Sequence, residues 1–241
     1  EIMAVEPSSA MMDVATLLLQ PFGDKVTWRR FLNENMRRNF DLVTASFVLN
    51  EIASPQERAR LLKQLWSNTS GILILVEPGT RLGFELIKEA RTLLLNTSSG
   101  GGVDSKATIL APCPHELPCP MAAPFWCHFS QRIQREPFQR LVKDNLTKAY
   151  EDEKYSYLVL AKGNAKRWIK KPSETADADK ANAVLKQQYE LDLSKLKQKS
   201  MHWSRLVNRP ILKGGHAYFD ICSAKGSIQR KLVSVRSQGN P

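Results

Sequence analysis

Long hydrophobic runs are absent from this 241-residue chain, which argues against a membrane-spanning helix. An apolar stretch such as "GILILVEPG" at 71–79 is far shorter than the roughly 20 residues that cross a bilayer. We therefore expect no membrane partner. The N-terminus shows neither a secretory nor a transit signal and lacks an initiator Met, so we expect a processed or partial chain.

Cysteine and acidic residues are also scarce, and both are unevenly placed. Three of the four cysteines lie within residues 113–127, and the fourth lies 95 positions further on. Residues 1–127 carry 12 Lys and Arg against 13 Asp and Glu, whereas residues 128–241 carry 23 against 11. The net charge of +11 therefore comes from the second half and favours a polyanionic partner, most simply RNA. A lysine-rich, well-solvated surface is the alternative.

The first 162 residues alternate strand-like and helix-like segments, which predicts an α/β fold. Short apolar runs are typical of strands buried on both faces, and they occur at "MAVEP", 41–48, "ILILVEPG" and 155–163. After "MAVEP" the apolar residues from Met11 to Leu19 have helical spacing, which predicts a helix with a Ser cap in "SSAMM". A later amphipathic segment has Ser54 as its N-cap, Pro55 at the first helical position and Glu57 at the capping-box position. The pattern predicts a parallel, Rossmann-like sheet covered on both sides.

After residue 162 the composition changes twice. Residues 163–200 are charged and poor in apolar side chains, which predicts a basic linker and an exposed helix. Residues 201–241 contain three β-like runs with turns at Gly214-Gly215 and "SAKGS". We expect them to form a small antiparallel β unit that is basic on its polar face.

Polar residues follow the predicted strands, at the edge where doubly wound sheets bind ligands. Glu6 closes the first strand, Ser46 and Asn50 lie in "ASFVLNE", and "VEPGTRLGF" follows the next strand. This order is expected in a class I S-adenosylmethionine methyltransferase whose N-terminal part, with its Gly-rich turn, precedes residue 1. S-adenosylmethionine is therefore a possible cofactor, held by Glu6, Ser46 and Asn50. No catalytic residue is assigned, because an Asn-Pro-Pro-Tyr motif and an obvious Cys nucleophile are both missing.

The cysteines follow a C-x5-C-x7-C spacing in a proline-rich segment, 109–132. Prolines fix φ and remove N–H donors, so we expect neither helix nor strand there, and a bound ligand would explain its order. The absence of C-x2-C pairs argues against a zinc ribbon, whereas iron–sulfur ligation tolerates irregular spacing. Disulfides, unrelated buried thiols, and His115 or His128 in place of Cys222 as the fourth ligand remain alternatives.

Several segments, taken in order, resemble the mitochondrial small-ribosomal-subunit methyltransferase-like family. They are "VEPS", "DLVTASFVLNEI", "LVEPGTRLGFELIKEAR", "APCPHELPCPM…WCHFSQR", "YSYLVLAKG" and "GGHAYFDICSAKGSIQRKLVS". The resemblance covers nearly the whole chain except 164–200. It implies a [4Fe–4S] cluster held by Cys113, Cys119, Cys127 and Cys222, with zinc as the alternative metal. The cluster would pin the β unit of residues 201–241, through Cys222, to a methyltransferase-like domain of residues 1–162.

The resemblance also implies small-subunit rRNA and ribosomal proteins as partners in the mitochondrial matrix, and no homo-oligomer is expected. Phosphate contacts should come from the basic half. The candidates are Arg132, Arg135, Lys166, Arg167, Lys170, Lys171, Arg205, Arg209 and Lys213. Trp168 and Trp203 could stack on bases, although core packing is the favoured role of both.

The expected function is that of an assembly factor or ribosomal component that uses a methyltransferase fold to clamp rRNA. An active S-adenosylmethionine-dependent rRNA methyltransferase is the alternative. A redox- or iron-sensing role, in which loss of the cluster turns RNA binding off, is compatible with either.

Overall fold

The computed structural model describes residues 2–32, 39–98, 106–142, 149–163 and 203–234. These residues belong to two units, 1–39 and 40–241, which are described separately. Among the described helices, none combines the length and the apolar character of a membrane span.

The first unit is a β–α–β segment. Strands β1 (Ile2–Val5) and β2 (Val26–Arg29) pair in parallel, and helix α1 (Ser9–Leu18) lies between them in the chain. Ser8 caps this helix, because its Oγ accepts a hydrogen bond from the Met11 amide at 3.3 Å. The strand predicted at "MAVEP" and the Ser-capped helix after it are confirmed.

The second unit is built on a five-stranded sheet. Its strands run in the order β3 (Phe40–Ser46), β4 (Thr69–Pro78), β7 (Tyr150–Lys162) and β5 (Ala107–Ala111), and β6 (Phe129–Gln134) pairs with the other part of β7. β3 and β4 are parallel, whereas β7 is antiparallel to β4, β5 and β6. A reversed strand between two parallel ones is the arrangement at this end of class I methyltransferase sheets. The predicted α/β, Rossmann-like fold class is confirmed.

The prediction of a parallel sheet throughout was wrong for β7. Between β6 and β7 the chain forms a short helix, α4 (Pro137–Val142), and β7 then runs back along β6 as its antiparallel partner. Because β7 is one continuous strand, it keeps this direction between β4 and β5.

Helices α2 (Pro55–Asn68) and α3 (Arg81–Ser98) pack on the sheet and on each other. The Ser54 cap of α2 is confirmed, because its Oγ accepts from the Glu57 amide at 3.3 Å. Both helices contact β4 and each other, so they lie on the same side of the sheet. Successive right-handed crossovers that move in one direction along a sheet place their helices on the same face. The predicted cover on both sides stays a prediction.

The core lies between these two helices and the sheet. In the β4–β7 ladder Leu73 pairs with Leu160 and Leu75 with Leu158, and all four side chains are fully buried. Alternate residues of β4 are only half-buried.

The C-terminal residues form a separate four-stranded antiparallel sheet, as predicted. Strand β10 (His216–Cys222) is central, with β11 (Ile228–Ser234) on one side and β8 (Arg205–Leu206) and β9 (Ile211–Lys213) on the other. The predicted turn at Gly214-Gly215 has φ values of 56° and 76°, which glycine adopts without strain.

The proline-rich segment between β5 and β6 is shorter than predicted. Residues 112–128 form no helix or strand, but both ends of the predicted 109–132 segment belong to strands that pair with β7. These ends contain no proline and can donate to the ladder. Residues 164–200, which include nearly all of the predicted linker and helix, lie outside the described residues, and the predicted domain limits stay a prediction.

Candidate functional site: a four-cysteine cavity

All four cysteines line one cavity of about 50 Å³. Cys113, Cys119 and Cys127 come from the segment 112–128, which we call the cysteine segment, and Cys222 ends β10. All four are free thiols, so the disulfide alternative is wrong. The structure thus brings together four side chains that are 95 positions apart at the widest gap in sequence.

The C-terminal sheet reaches this cavity through its first and central strands. Arg205 on β8 pairs in register with Cys222, and its Nε donates to the carbonyl oxygen of Pro112 at 2.9 Å. Phe84, Val207 and Cys222 belong to one buried cluster, against which Cys119 and Cys127 pack. The sheet therefore contacts both the cysteine segment and helix α3.

Side chains from the main sheet and α3 hold the cysteine segment, which has few backbone partners of its own. Arg91 Nη2 donates to the carbonyls of His115 at 2.9 Å and Leu117 at 2.7 Å. Ser156 Oγ donates to the carbonyl of Cys127 at 2.9 Å. Trp126 Nε1 donates to the carbonyl of Gly79 at 3.1 Å. These side chains donate hydrogen bonds to backbone carbonyls that have no partner in a β-ladder.

Burial disfavours ionisation of Cys113, Cys127 and Cys222. Burial, with smaller contributions from the other cysteines, raises the pKa of Cys127 to about 12 and that of Cys222 to about 11. Burial also raises the pKa of Cys113, while the Arg91 guanidinium lowers it. A bound metal must therefore displace protons from these thiols.

The two histidines lie in different places. His115 lines the cavity and is buried beside Cys222, with Nε2 3.4 Å from the Cys222 sulfur, within hydrogen-bond distance. Burial, followed by the charge of Arg91, lowers the pKa of His115. His128 instead lies against Trp126, with Nδ1 3.4 Å from the Trp126 carbonyl oxygen. The alternative of a histidine as the fourth ligand stays a prediction.

The donor set suits a metal group bound by thiolates. Four free thiols line the cavity, and no carboxylate of the described residues lines it. Soft thiolate ligands suit zinc or an iron–sulfur cluster by their chemistry. Within the described residues, no three His, Cys, Asp or Glu side chains have the arrangement that holds a metal ion. The identity of the bound group stays a prediction.

The residues predicted to bind S-adenosylmethionine lie in both units. Glu6, in the first unit, accepts a hydrogen bond from the Ser8 amide at 2.8 Å through Oε1. Ser46 ends β3, and Asn50 lies in a 3₁₀ turn, Leu49–Glu51; both are exposed. Between them Phe47 has φ of 60°, a strained conformation for an aromatic residue. Their roles stay predictions.

A buried carboxylate that the sequence did not single out supports this turn. Glu77 at the end of β4 is 1% exposed, and its Oε1 accepts from the Leu49 amide at 2.8 Å. Its Oε2 has no hydrogen-bond partner among the described residues. Burial raises its pKa, although hydrogen bonds from the backbone amides of the turn oppose the shift. The available signal was its position at the end of an otherwise apolar strand.

Removing the Glu77 carboxylate should therefore destabilise the turn. Glu77→Ala leaves a buried amide without its acceptor and should lower the free energy of unfolding by about 1–3 kcal/mol. Glu77→Gln keeps an acceptor and removes the buried charge, so its cost should stay below about 1 kcal/mol. Because the pKa is raised above 4.5, this group's contribution to wild-type stability should be full below pH 4.5 and fall as pH rises through the raised pKa. Urea unfolding between pH 4 and 8 measures both effects; equal losses in the two variants would contradict the proposed role.

Three of the nine arginines and lysines predicted to contact RNA have contacts within the protein, although the side chain of Arg132 stays 59% exposed. Arg132 forms two hydrogen bonds to Asp152, at 2.7 and 3.0 Å, and Arg135 is buried and paired with Glu151 at 3.0 Å. Arg205 lines the cavity. Arg209 and Lys213 are exposed on the C-terminal sheet. Lys166, Arg167, Lys170 and Lys171 lie outside the described residues.

Other exposed groups enlarge the basic surface of the C-terminal sheet. Residues 203–234 carry six Lys and Arg against one acid, Asp220, which Arg230 binds at 2.7 and 2.9 Å. The sequence-based selection missed Lys225 and Lys231, which are exposed and have no ion pair within the described residues. Trp203 is 53% exposed, so the favoured core-packing role was wrong for it, while Trp168 lies outside the described residues.

Comparison with known proteins places these features in a family context. The family model described as "Mitochondrial small ribosomal subunit Rsm22" matches residues 1–241. The human "Ribosome assembly protein METTL17, mitochondrial" is 29% identical over 99% of this chain and 46% of its own length. The Schizosaccharomyces pombe "Rsm22-cox11 tandem protein 2, mitochondrial" is 34% identical over 83% of this chain and 27% of its own. The Saccharomyces cerevisiae "Ribosome assembly protein RSM22, mitochondrial" is 22% identical over 68% of this chain and 35% of its own. The chain thus spans less than half the length of each relative.

Proposed function

Because the chain belongs to the Rsm22 family of the mitochondrial small ribosomal subunit, we propose that it assists assembly of that subunit in the mitochondrial matrix. It does so by binding small-subunit rRNA and neighbouring ribosomal proteins. Two of its relatives are named ribosome assembly proteins, which supports this role.

The observation that carries the proposal is the convergence of four free cysteines, from two distant parts of the chain, on one cavity. Cys113, Cys119, Cys127 and Cys222 hold a [4Fe–4S] cluster there. When bound, the cluster supplies metal–thiolate bonds that join the cysteine segment to β10. Such a cross-link closes a long loop of chain and so restricts the unfolded state strongly.

The basic C-terminal sheet, held in place by these bonds, presents cations to rRNA phosphates. Arg209, Lys213, Lys225 and Lys231 are exposed there and have no acidic partner among the described residues. Phosphate contacts of this kind position a protein on RNA and contribute little sequence specificity. Assembly then depends on the shape of the rRNA that the sheet meets.

Sedimentation of mitochondrial extracts tests the proposal with the full-length protein. The protein should migrate with small-subunit precursors and should leave those fractions after ribonuclease treatment. Migration with the large subunit, or with no ribosomal particle, would overturn the assembly role.

A second candidate function, S-adenosylmethionine-dependent rRNA methylation, is favoured by the exposed polar residues Ser46 and Asn50 around the strained Phe47. Strain of this kind concentrates at functional sites. Calorimetric titration of the full-length protein with S-adenosylmethionine separates the two candidates. Binding heat that Asn50→Ala abolishes supports methylation, and no heat at millimolar ligand supports the non-catalytic role.

A further inference from the structure

The four-cysteine cavity has an excess of positive charge. Its lining includes Lys88, Arg91 and Arg205, whereas no Asp or Glu from the described part of the chain lines it. Four thiolates around an iron–sulfur core carry a net negative charge, and a buried negative charge is costly unless cations lie near it. Cations at this cavity that have no acidic partner therefore indicate a negatively charged group within it.

Arg91 is the most deeply buried of these cations. It lies on α3 and is 4% exposed. Its Nη2 donates to the carbonyls of His115 and Leu117, and its side chain also lies within hydrogen-bond reach of the Cys113 thiol. Its Nε has no hydrogen-bond partner among the described residues, and no carboxylate pairs with it there. A buried guanidinium without an anion is destabilising, so its retention here requires a counter-charge.

Arg205 reaches the same cavity from a different element. It lies on β8, next to Cys222 in the sheet register, and its Nε donates to the carbonyl of Pro112 at 2.9 Å. No carboxylate pairs with it within the described residues. One guanidinium group therefore comes from α3 and the other from the C-terminal sheet. The cysteines likewise come from the cysteine segment, which Arg91 contacts, and from the C-terminal sheet.

Lys88 differs from both arginines. Its Nζ lies 3.6 Å from the Glu85 carboxylate, one turn away on α3, and 3.4 Å from the carbonyl oxygen of Met121. Its charge is thus already paired with an acid, and its side chain is less buried than that of Arg91. Because removing Lys88 would leave the Glu85 carboxylate uncompensated, the charge control is Lys63, which is exposed on α2 and does not line the cavity.

We infer that Arg91 and Arg205 are positioning residues whose charges neutralise the metal–thiolate group at the four cysteines and raise its reduction potential. The inference rests on the proposed cluster. A nearby cation favours the more negative, reduced form of such a group, so removing the cation lowers the reduction potential. Holding the cysteine segment through the His115 and Leu117 carbonyls is a separate, structural role of Arg91.

The test compares Arg91→Gln, Arg91→Lys, Arg205→Gln and Lys63→Gln in the full-length protein purified without oxygen. Iron and sulfide content and a redox titration followed by absorbance are measured for each. At a fixed potential, Arg91→Gln and Arg205→Gln should each raise the ratio of oxidised to reduced cluster about tenfold, which is about 59 mV for one electron. Arg91→Lys and Lys63→Gln should stay within about twofold of wild type, because the first keeps the charge and the second removes an exposed charge that does not line the cavity.

The outcomes distinguish an effect of the guanidinium charge on the cluster from an effect of the side chain's geometry. A loaded Arg91→Gln and a loaded Arg205→Gln with wild-type potentials overturn the inference. Equal shifts in Arg91→Gln and Arg91→Lys overturn it too, since the geometry of the guanidinium would then matter and its charge would not. If Arg91→Gln is empty, a loaded Arg91→Lys supports the inference, and an empty one overturns it. If the wild-type protein contains no iron and sulfide, the proposed cluster is contradicted. That result differs from a loaded cluster whose potential does not respond to Arg91 or Arg205, which contradicts only the inference about charge.

Discussion

Cys222→Ser should release the C-terminal sheet from the cysteine segment. The cluster would lose one of its four ligands and, with it, its bond to β10. In the chain-entropy treatment of cross-links, closing a loop of about 100 residues contributes about 4–5 kcal/mol. The variant should therefore lose most of its iron, and a protease should cut the C-terminal sheet about 10-fold faster or more, because opening becomes easier.

Ala217→Ser is the matched control, since it introduces the same side chain on the same strand away from the cavity. Its iron content and its rate of proteolysis should equal those of wild type. The sheet also packs through Val207 and the buried Cys222 side chain, so part of its attachment survives without metal. Unchanged proteolysis of Cys222→Ser, together with a full complement of iron, would contradict the cross-link.

The double variant Arg209→Ala/Lys213→Ala should weaken rRNA binding through lost phosphate contacts. Each phosphate contact contributes about one unit to the slope of log affinity against log salt, so the slope should become about two units less steep. Filter binding of a small-subunit rRNA fragment between 50 and 300 mM salt measures it. The loss should be large at low salt and should shrink as the salt concentration rises.

Lys63→Ala/Lys154→Ala removes the same charge from exposed positions on α2 and β7, away from the C-terminal sheet. Its salt slope should match that of wild type. If both double variants reduce the slope equally, binding follows net charge and the C-terminal sheet is not the contact surface. A wild-type affinity that does not vary with salt would remove the phosphate-contact argument altogether.

Local sequence signals predicted the elements whose causes are local. The Ser8 and Ser54 caps, the apolar run of β4 and the Gly214-Gly215 turn each depend on a few adjacent residues, and the structure has them as expected. The direction of β7 depends on which strands it pairs with, and its partner residues on β4 and β5 lie 48 or more positions away in the chain. Periodicity of a single strand does not carry it.

The same difference between local signals and tertiary contacts applies to the candidate site. The cysteines were recognisable because cysteine is rare and three of them lie close together in sequence. Arg91, in contrast, looks like an ordinary surface residue of an amphipathic helix, and only the fold turns it towards His115 and Leu117. Arg135 illustrates the opposite error, because its charge suggested RNA binding while Glu151 pairs with it in a buried position. Charge patterns identify a basic region, but tertiary contacts decide which charges remain available.

The iron and acid-labile sulfide content of the full-length protein, purified without oxygen, tests the central claim most directly. A cluster held by four cysteines predicts about four iron and four sulfide per chain, with visible absorbance that disappears on mutation of any one of the four. Zinc in place of iron, or a protein that contains no metal while its four thiols remain reduced, would contradict the account.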